Sequence, residues 1–118
     1  MKRFTQAQQE VICLMLRRAE NARIGLANLV PGDFPYPEYR AGFEIFSGLA
    51  IPKDPDALVD LAAWVFVMKD RLAGLGLHWS ISDILEAMRP EFAPGFSIEE
   101  GIRRLKALIA DPTAELDA

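Results

Sequence analysis

Apolar residues recur along this chain at helical intervals, and no stretch alternates with the period of two that a half-buried strand requires. Ala7, Val11, Leu14 and Met15 mark a first helix. Thr5-x-x-Gln8 can close a capping box at its start, and Arg17 and Arg18 suit the negative end of its dipole. A second helix is predicted from Asn21 through Val30, with a break near 19–21; one continuous helix from 6 to 30 is the alternative. Pro31-Gly32 stops that pattern. Asp33 can bond its own following backbone, and Pro35 and Pro37 keep the chain extended. Phe34, an isolated aromatic in this corner, is expected to drop into the core as a plug. Pro37 fits the first turn of a third helix, where its missing N–H costs nothing, with Tyr39, Phe43 and Phe46 along one side.

Beyond the loop Ile51-Pro52-Lys53-Asp54-Pro55, a fourth helix is predicted from about 55 to 74, capped by Asp54 or Asp56 and ended by Gly74 and Gly76. Ser80 or Ser82 opens a short helix to Met88, and Pro90 and Pro94 bound the next loop. Ser97-x-x-Glu100 is a second capping box, opening a last helix through Ala110. Ile98, Ile102, Leu105 and Ile109 form its buried stripe, with Arg103, Arg104 and Lys106 outside. The expectation is an all-α fold, a small bundle of five or six helices in one domain over 1–110, followed by a tail over 111–118.

The fourth helix is apolar nearly all round. Such a helix is either central in its bundle or shared with another chain. Leu58, Leu61, Val65, Met68 and Leu72 are assigned to the domain's own core. Val59, Ala63, Phe66 and Val67, with Trp64 at the edge, are the candidate contact with a second chain, since Trp and Phe bury much area with few rotors.

Composition narrows the classes. A hydrophobic share of 51% and a charged share of 25% suit a globular protein. The net charge of −4 argues against direct nucleic-acid binding. The acidity lies after residue 30, since Lys2, Arg3, Arg17, Arg18 and Arg23 outnumber Glu10 and Glu20 before it. The single cysteine, Cys13, sits in an apolar helix and reads as a buried inert thiol. The N-terminus lacks an apolar core followed by a small-residue cleavage site, and the run from Ala57 to Met68 is too short to cross a bilayer. A cytoplasmic protein without membrane contact is expected.

No catalytic constellation emerges. His78 is the only histidine and has no carboxylate or cysteine at metal-ligand spacing. The pairs Glu99-Glu100 and Asp54-Asp56 sit at a helix start and in a loop, where acids favour the dipole without doing acid–base work. Gly74-Leu75-Gly76 is a helix stop with no Gly-Lys-Ser/Thr after it, so no phosphate loop is present. Tyr36, Tyr39, Phe43 and Phe46 could stack bases, but the spacing 39, 43, 46 is that of a core stripe. The expectation is a non-enzyme with no cofactor and no metal. A helix-turn-helix over 80–109, with Arg103, Arg104 and Lys106 on its second helix, makes a small DNA-binding regulator the alternative.

One resemblance rises above these readings. Asp33-Phe34-Pro35-Tyr36-Pro37-Glu38-Tyr39-Arg40, followed by Phe43-Glu44 and preceded by the helix Ala7 to Leu16, resembles the N-terminal helical domain of bacterial replicative (DnaB-type) helicases. That domain carries Asp-Phe-Tyr-x-Pro-x-His-Arg-x-x-Phe-Glu after its second helix. Asp33, Phe34, Pro37, Arg40, Phe43 and Glu44 match; Pro35 replaces the Tyr and Tyr39 the His. The C-terminal domain of bacterial primase is similar in fold and has a fainter version of the corner. The resemblance spans 5–46, loosens from 47 and ends near 65. It implies a non-catalytic protein-interaction domain of the replication machinery, with a replicative helicase, a primase or a second copy of itself as partner.

Overall fold

The computed structural model describes residues 3–88 and 96–111. Six α-helices run through them: α1 (Arg3–Arg17), α2 (Ala19–Asn28), α3 (Pro37–Ile45), α4 (Leu61–Gly74), α5 (Ile81–Ala87) and α6 (Ile98–Ala110). Among the described residues there is no strand. The expected all-α bundle is the fold. No helix among these residues is long and apolar enough to cross a membrane. The expected Pro90–Pro94 loop and all but Asp111 of the expected tail lie outside the described residues.

The central helix is α1. Every residue from Ala7 to Leu16 is buried, including Gln8, Gln9 and Glu10. Helices α2, α3 and α6 pack around it. Its polar residues survive burial because partners reach them. Gln9 Nε2 donates to the Ala87 carbonyl, and Arg104 Nη1 donates to Glu10 Oε1 at 2.8 Å. Helix α1 starts at Arg3, so Thr5 lies inside its first turn and is not the cap.

The break between α1 and α2 falls at Arg18, whose backbone is extended. Its side chain makes no capping bond; a distant segment does that work instead. The amides of Ala19 and Glu20 donate to the carbonyls of Ala57 (2.8 Å) and Pro55 (3.0 Å), and the Val59 amide donates to Leu16 O (3.3 Å). Arg18 pairs with Asp56, and Arg23 donates to the carbonyls of Ile51 and Pro52. Residues 51–59 thus form a strap across the α1–α2 corner. This corrects the expected start of α4 near 55: the Val59 amide, which a helix from 55 would turn back to the Pro55 carbonyl, goes to Leu16 instead, and residues 51–60 are not helical. The cap is Asp60, whose Oδ1 accepts from Ala63 N at 3.1 Å. At the other end the Leu77 amide reaches Leu72 O and the Gly76 amide reaches Ala73 O, a left-handed stop with Gly76 at φ 81°.

The proline corner forms with Phe34 and Pro37 placed as expected, but Asp33, expected to bond the backbone that follows it, bonds the backbone before it. A 3-10 turn over Pro31–Asp33 is closed by Asp33 Oδ2 accepting from the Val30 amide at 2.9 Å. Phe34 is fully buried and stacks on Phe43 with centroids 4.8 Å apart. Arg40 Nε donates to Phe34 O at 3.0 Å, fixing the corner to α3. Pro37 occupies the first turn of α3, and Tyr39, Phe43 and Phe46 face inward. Ser80 and Asp83 exchange reciprocal bonds of 3.0 Å at the start of α5. Ser97 Oγ accepts from the Glu100 amide at 3.2 Å at the start of α6. Ile98, Ile102, Leu105 and Leu108 are the buried side of α6; Ile109, expected there, is only partly buried.

Candidate functional site

Helix α4 lies against α3 and α5 at the side of the bundle. Its buried side is Trp64, Val65, Met68 and Leu72. Trp64 Nε1 donates to Gly42 O at 3.0 Å, and the approach is close: a Cβ at Gly42 would stand 3.2 Å from the indole. Phe46 packs beside the indole at 6.3 Å.

This divides the expected faces differently. Val65, Met68 and Leu72 are core residues as expected. Trp64 and Val59, expected at a contact with a second chain, are fully buried within this one: Trp64 under α3, Val59 in the strap. Phe66 and Val67 do face outward, 65% and 41% exposed, with Ala63 half-buried between the two sides. Leu58 and Leu61, expected in the core, are 73% and 43% exposed. Leu58 precedes the Asp60 cap and lies in the strap, outside the helix, so helical spacing does not apply to it, and Leu61 is the first residue of α4. Asp60 just ahead of an apolar run was the signal for this boundary.

The outward surface that results is unusual. Leu58, Leu61, Phe66, Val67 and Leu75 are five of the six large hydrophobic residues exposed among the described ones. Ala62 and Ala73 are exposed on the same helix, with Asp70 among them and Lys69 and Arg71 alongside. Next to Leu58 and Leu61, an apolar pocket of about 240 Å³ opens between α1, the strap and α5, with Leu16, Leu85 and Met88 in its walls and Cys13 beneath. Cys13 Sγ donates to Met88 O at 2.9 Å. Burial, its chief influence, raises the thiol's pKa, partly offset by Arg17, so the group is a neutral wall element.

The residues matching the resemblance serve the corner. Asp33, Phe34, Pro37, Arg40 and Phe43 hold the turn between α2 and α3, and Glu44 lies 3.8 Å from Arg71 of α4. The cations of α6 are differently placed. Arg104 bonds Glu10 and lies over the Phe96 ring at 5.1 Å, Arg103 pairs with Glu100 at 3.0 Å, and Lys106 is exposed. Helix α5 packs on α4, whereas α6 packs on α1 and α2. Comparison with protein-family models, with curated proteins and with solved structures finds no match to this chain.

Proposed function

We propose that this chain is a non-catalytic protein-interaction domain of the kind found in helicase and primase assemblies of the replication machinery, and that it docks through the outward side of α4. One observation carries this reading: nearly all the large exposed hydrophobic side chains among the described residues fall between Leu58 and Leu75. Single apolar residues on a surface are ordinary, but Phe66 and Val67 stand side by side on the outward side of α4 among exposed alanines, and Leu58 and Leu61 line an apolar pocket at the start of the same helix. The Phe34–Arg40 corner, which the resemblance rests on, is built as a rigid support for the neighbouring helices and supports the same reading. The partner is a replicative helicase, a primase or a second copy of this chain.

The test is Phe66→Glu. Phe66 is largely solvent-exposed, so the variant is expected to keep the helical circular-dichroism signal of the parent. Sedimentation equilibrium of the protein alone, and titration with purified replicative helicase and primase from the same organism, should show an association that Phe66→Glu abolishes. An association of equal strength in both proteins, or none with any of the three candidates, sinks the proposal.

A further inference from the structure

The pocket between α1, the strap and α5 joins an apolar interior to a single charge. Cys13, Leu16, Val59 and Met88 line it and are buried, while Leu58 and Leu61 line it and are exposed. Among the described residues lining it, Arg17 alone is charged. Its guanidinium, and not only its stem, belongs to the pocket, because it makes a hydrogen bond with the Cys13 thiol. Glu10, the carboxylate that also acts on that thiol, is paired with Arg104 of α6. Asp60, next to Leu61, is engaged as the cap of α4. The charge balance at the pocket is therefore positive.

Volume decides what size of group fits. A dry apolar cavity of about 150 Å³ takes a benzene ring. This pocket has about 240 Å³. A single leucine or phenylalanine side chain would leave part of it unfilled, and walls without a neighbour lose their dispersion contacts outright. A flexible hydrocarbon chain can follow the walls instead.

We propose that this pocket binds a medium-chain aliphatic carboxylate, with the hydrocarbon against Leu16, Val59, Leu85 and Met88 and the carboxylate on Arg17. A guanidinium carries five N–H donors in one plane, so it can hold a carboxylate while also touching the thiol. An alkylammonium of the same length meets a like charge there. A neutral alcohol fills the same volume and forgoes the charge-assisted bond. Phe66 and Val67 do not line this pocket, so it is distinct from the outward side of α4.

The Met88 methyl in protein carbon-labelled at its methionine methyls reports occupancy, identified by its loss in Met88→Leu. Met15 and Met68 are references, since both are buried elsewhere, one against Gly25 and the other near Gly42. The probes are octanoate, octanol, octylammonium and N-acetyl-leucine. Octanoate should shift Met88 saturably while Met15 and Met68 stay still. Octanol should bind about tenfold more weakly, and octylammonium not at all. Arg17 is exposed, and Arg17→Gln should weaken octanoate about tenfold while leaving octanol unchanged. Should that variant lose octanol as well, Arg17→Lys decides: retained octanoate binding supports the site and its loss sinks it. Phe66→Glu should leave octanoate binding unaltered, so the two surfaces can fail separately. Tighter binding of N-acetyl-leucine than of octanoate would mean a peptide terminus and overturn the aliphatic reading. The proposal is also overturned by no saturable movement of Met88, by equal shifts of all three methionines, by octanol as tight as octanoate, or by undiminished octanoate affinity in Arg17→Gln.

Discussion

Trp64 and Phe66 stand two residues apart on one helix and face opposite ways, so the same kind of truncation should have opposite consequences. Trp64→Ala removes a fully buried indole and strands the Gly42 carbonyl; a loss of about 3–5 kcal/mol in urea unfolding is expected. Phe66→Ala removes a mostly solvated ring and should change stability by no more than about 0.5 kcal/mol. Similar losses for the two would mean the outward side of α4 is covered. Phe34 belongs with Trp64: stacked on Phe43 and fully buried, it should also cost about 3–5 kcal/mol when cut to Ala. A Phe34→Ala protein melting within a degree or two of the parent would refute its role as the corner plug. Glu10 is a different case, a carboxylate 3% exposed whose counter-ion Arg104 is half in water. Arg104→Ala leaves that carboxylate unpaired, at an expected cost of about 1–3 kcal/mol, reduced from a fully buried pair by solvent at the arginine. Glu10→Gln in the same background should recover part of it; no recovery would show that the arginine acts by packing on Phe96.

Helix ends supply the next tests. Gly76 adopts φ 81°, while Gly74 ends α4 in ordinary helix with open space at its Cβ. Gly76→Ala should cost about 1 kcal/mol and Gly74→Ala should be neutral or gain up to about 1 kcal/mol, read from thermal unfolding. At the start of α5 the Asp83 carboxyl has a folded pKa below its unfolded value. Its contribution is therefore complete above the unfolded pKa and disappears as pH falls through the folded one. The stability gap between the parent and Asp83→Asn should narrow on acidification, and a gap constant with pH would contradict the cap. Helices α3, α5 and α6 were legible because their signals are local: Pro37, Ser80 with Asp83, and Ser97 with Glu100. The central place of α1 and the true start of α4 were not. Gln8-Gln9-Glu10 put three polar residues in succession on α1, yet Ala87 and Arg104, far along the chain, bond Gln9 Nε2 and Glu10 and let α1 sit at the centre. The more apolar α4, expected to be central or shared, is half exposed. Periodicity reports which residues could be buried; it does not contain the long-range bonds that decide which helix is surrounded.

At the scale of the whole molecule, the response to salt tests the character of the α4 contact. Docking through Phe66 and Val67 buries mostly apolar area and should weaken little between low and moderate ionic strength. A salt-sensitive association abolished by Phe66→Glu would shift the α4 contact towards charge and away from its hydrophobic residues. The strap over 51–59 has a consequence for how the chain acquires its shape. The opening amides of α2 are capped by carbonyls that come almost forty residues later, at Pro55 and Ala57. A nascent chain that has emerged only as far as α3 holds the sequence of α1 and α2 but not the groups that close the corner between them. The N-terminal pair is therefore no autonomous hairpin. Its first turn stays frayed until the strap arrives, and hydrogen exchange at Ala19 and Glu20 should keep time with the loop at 51–59 and not with the helix those amides belong to.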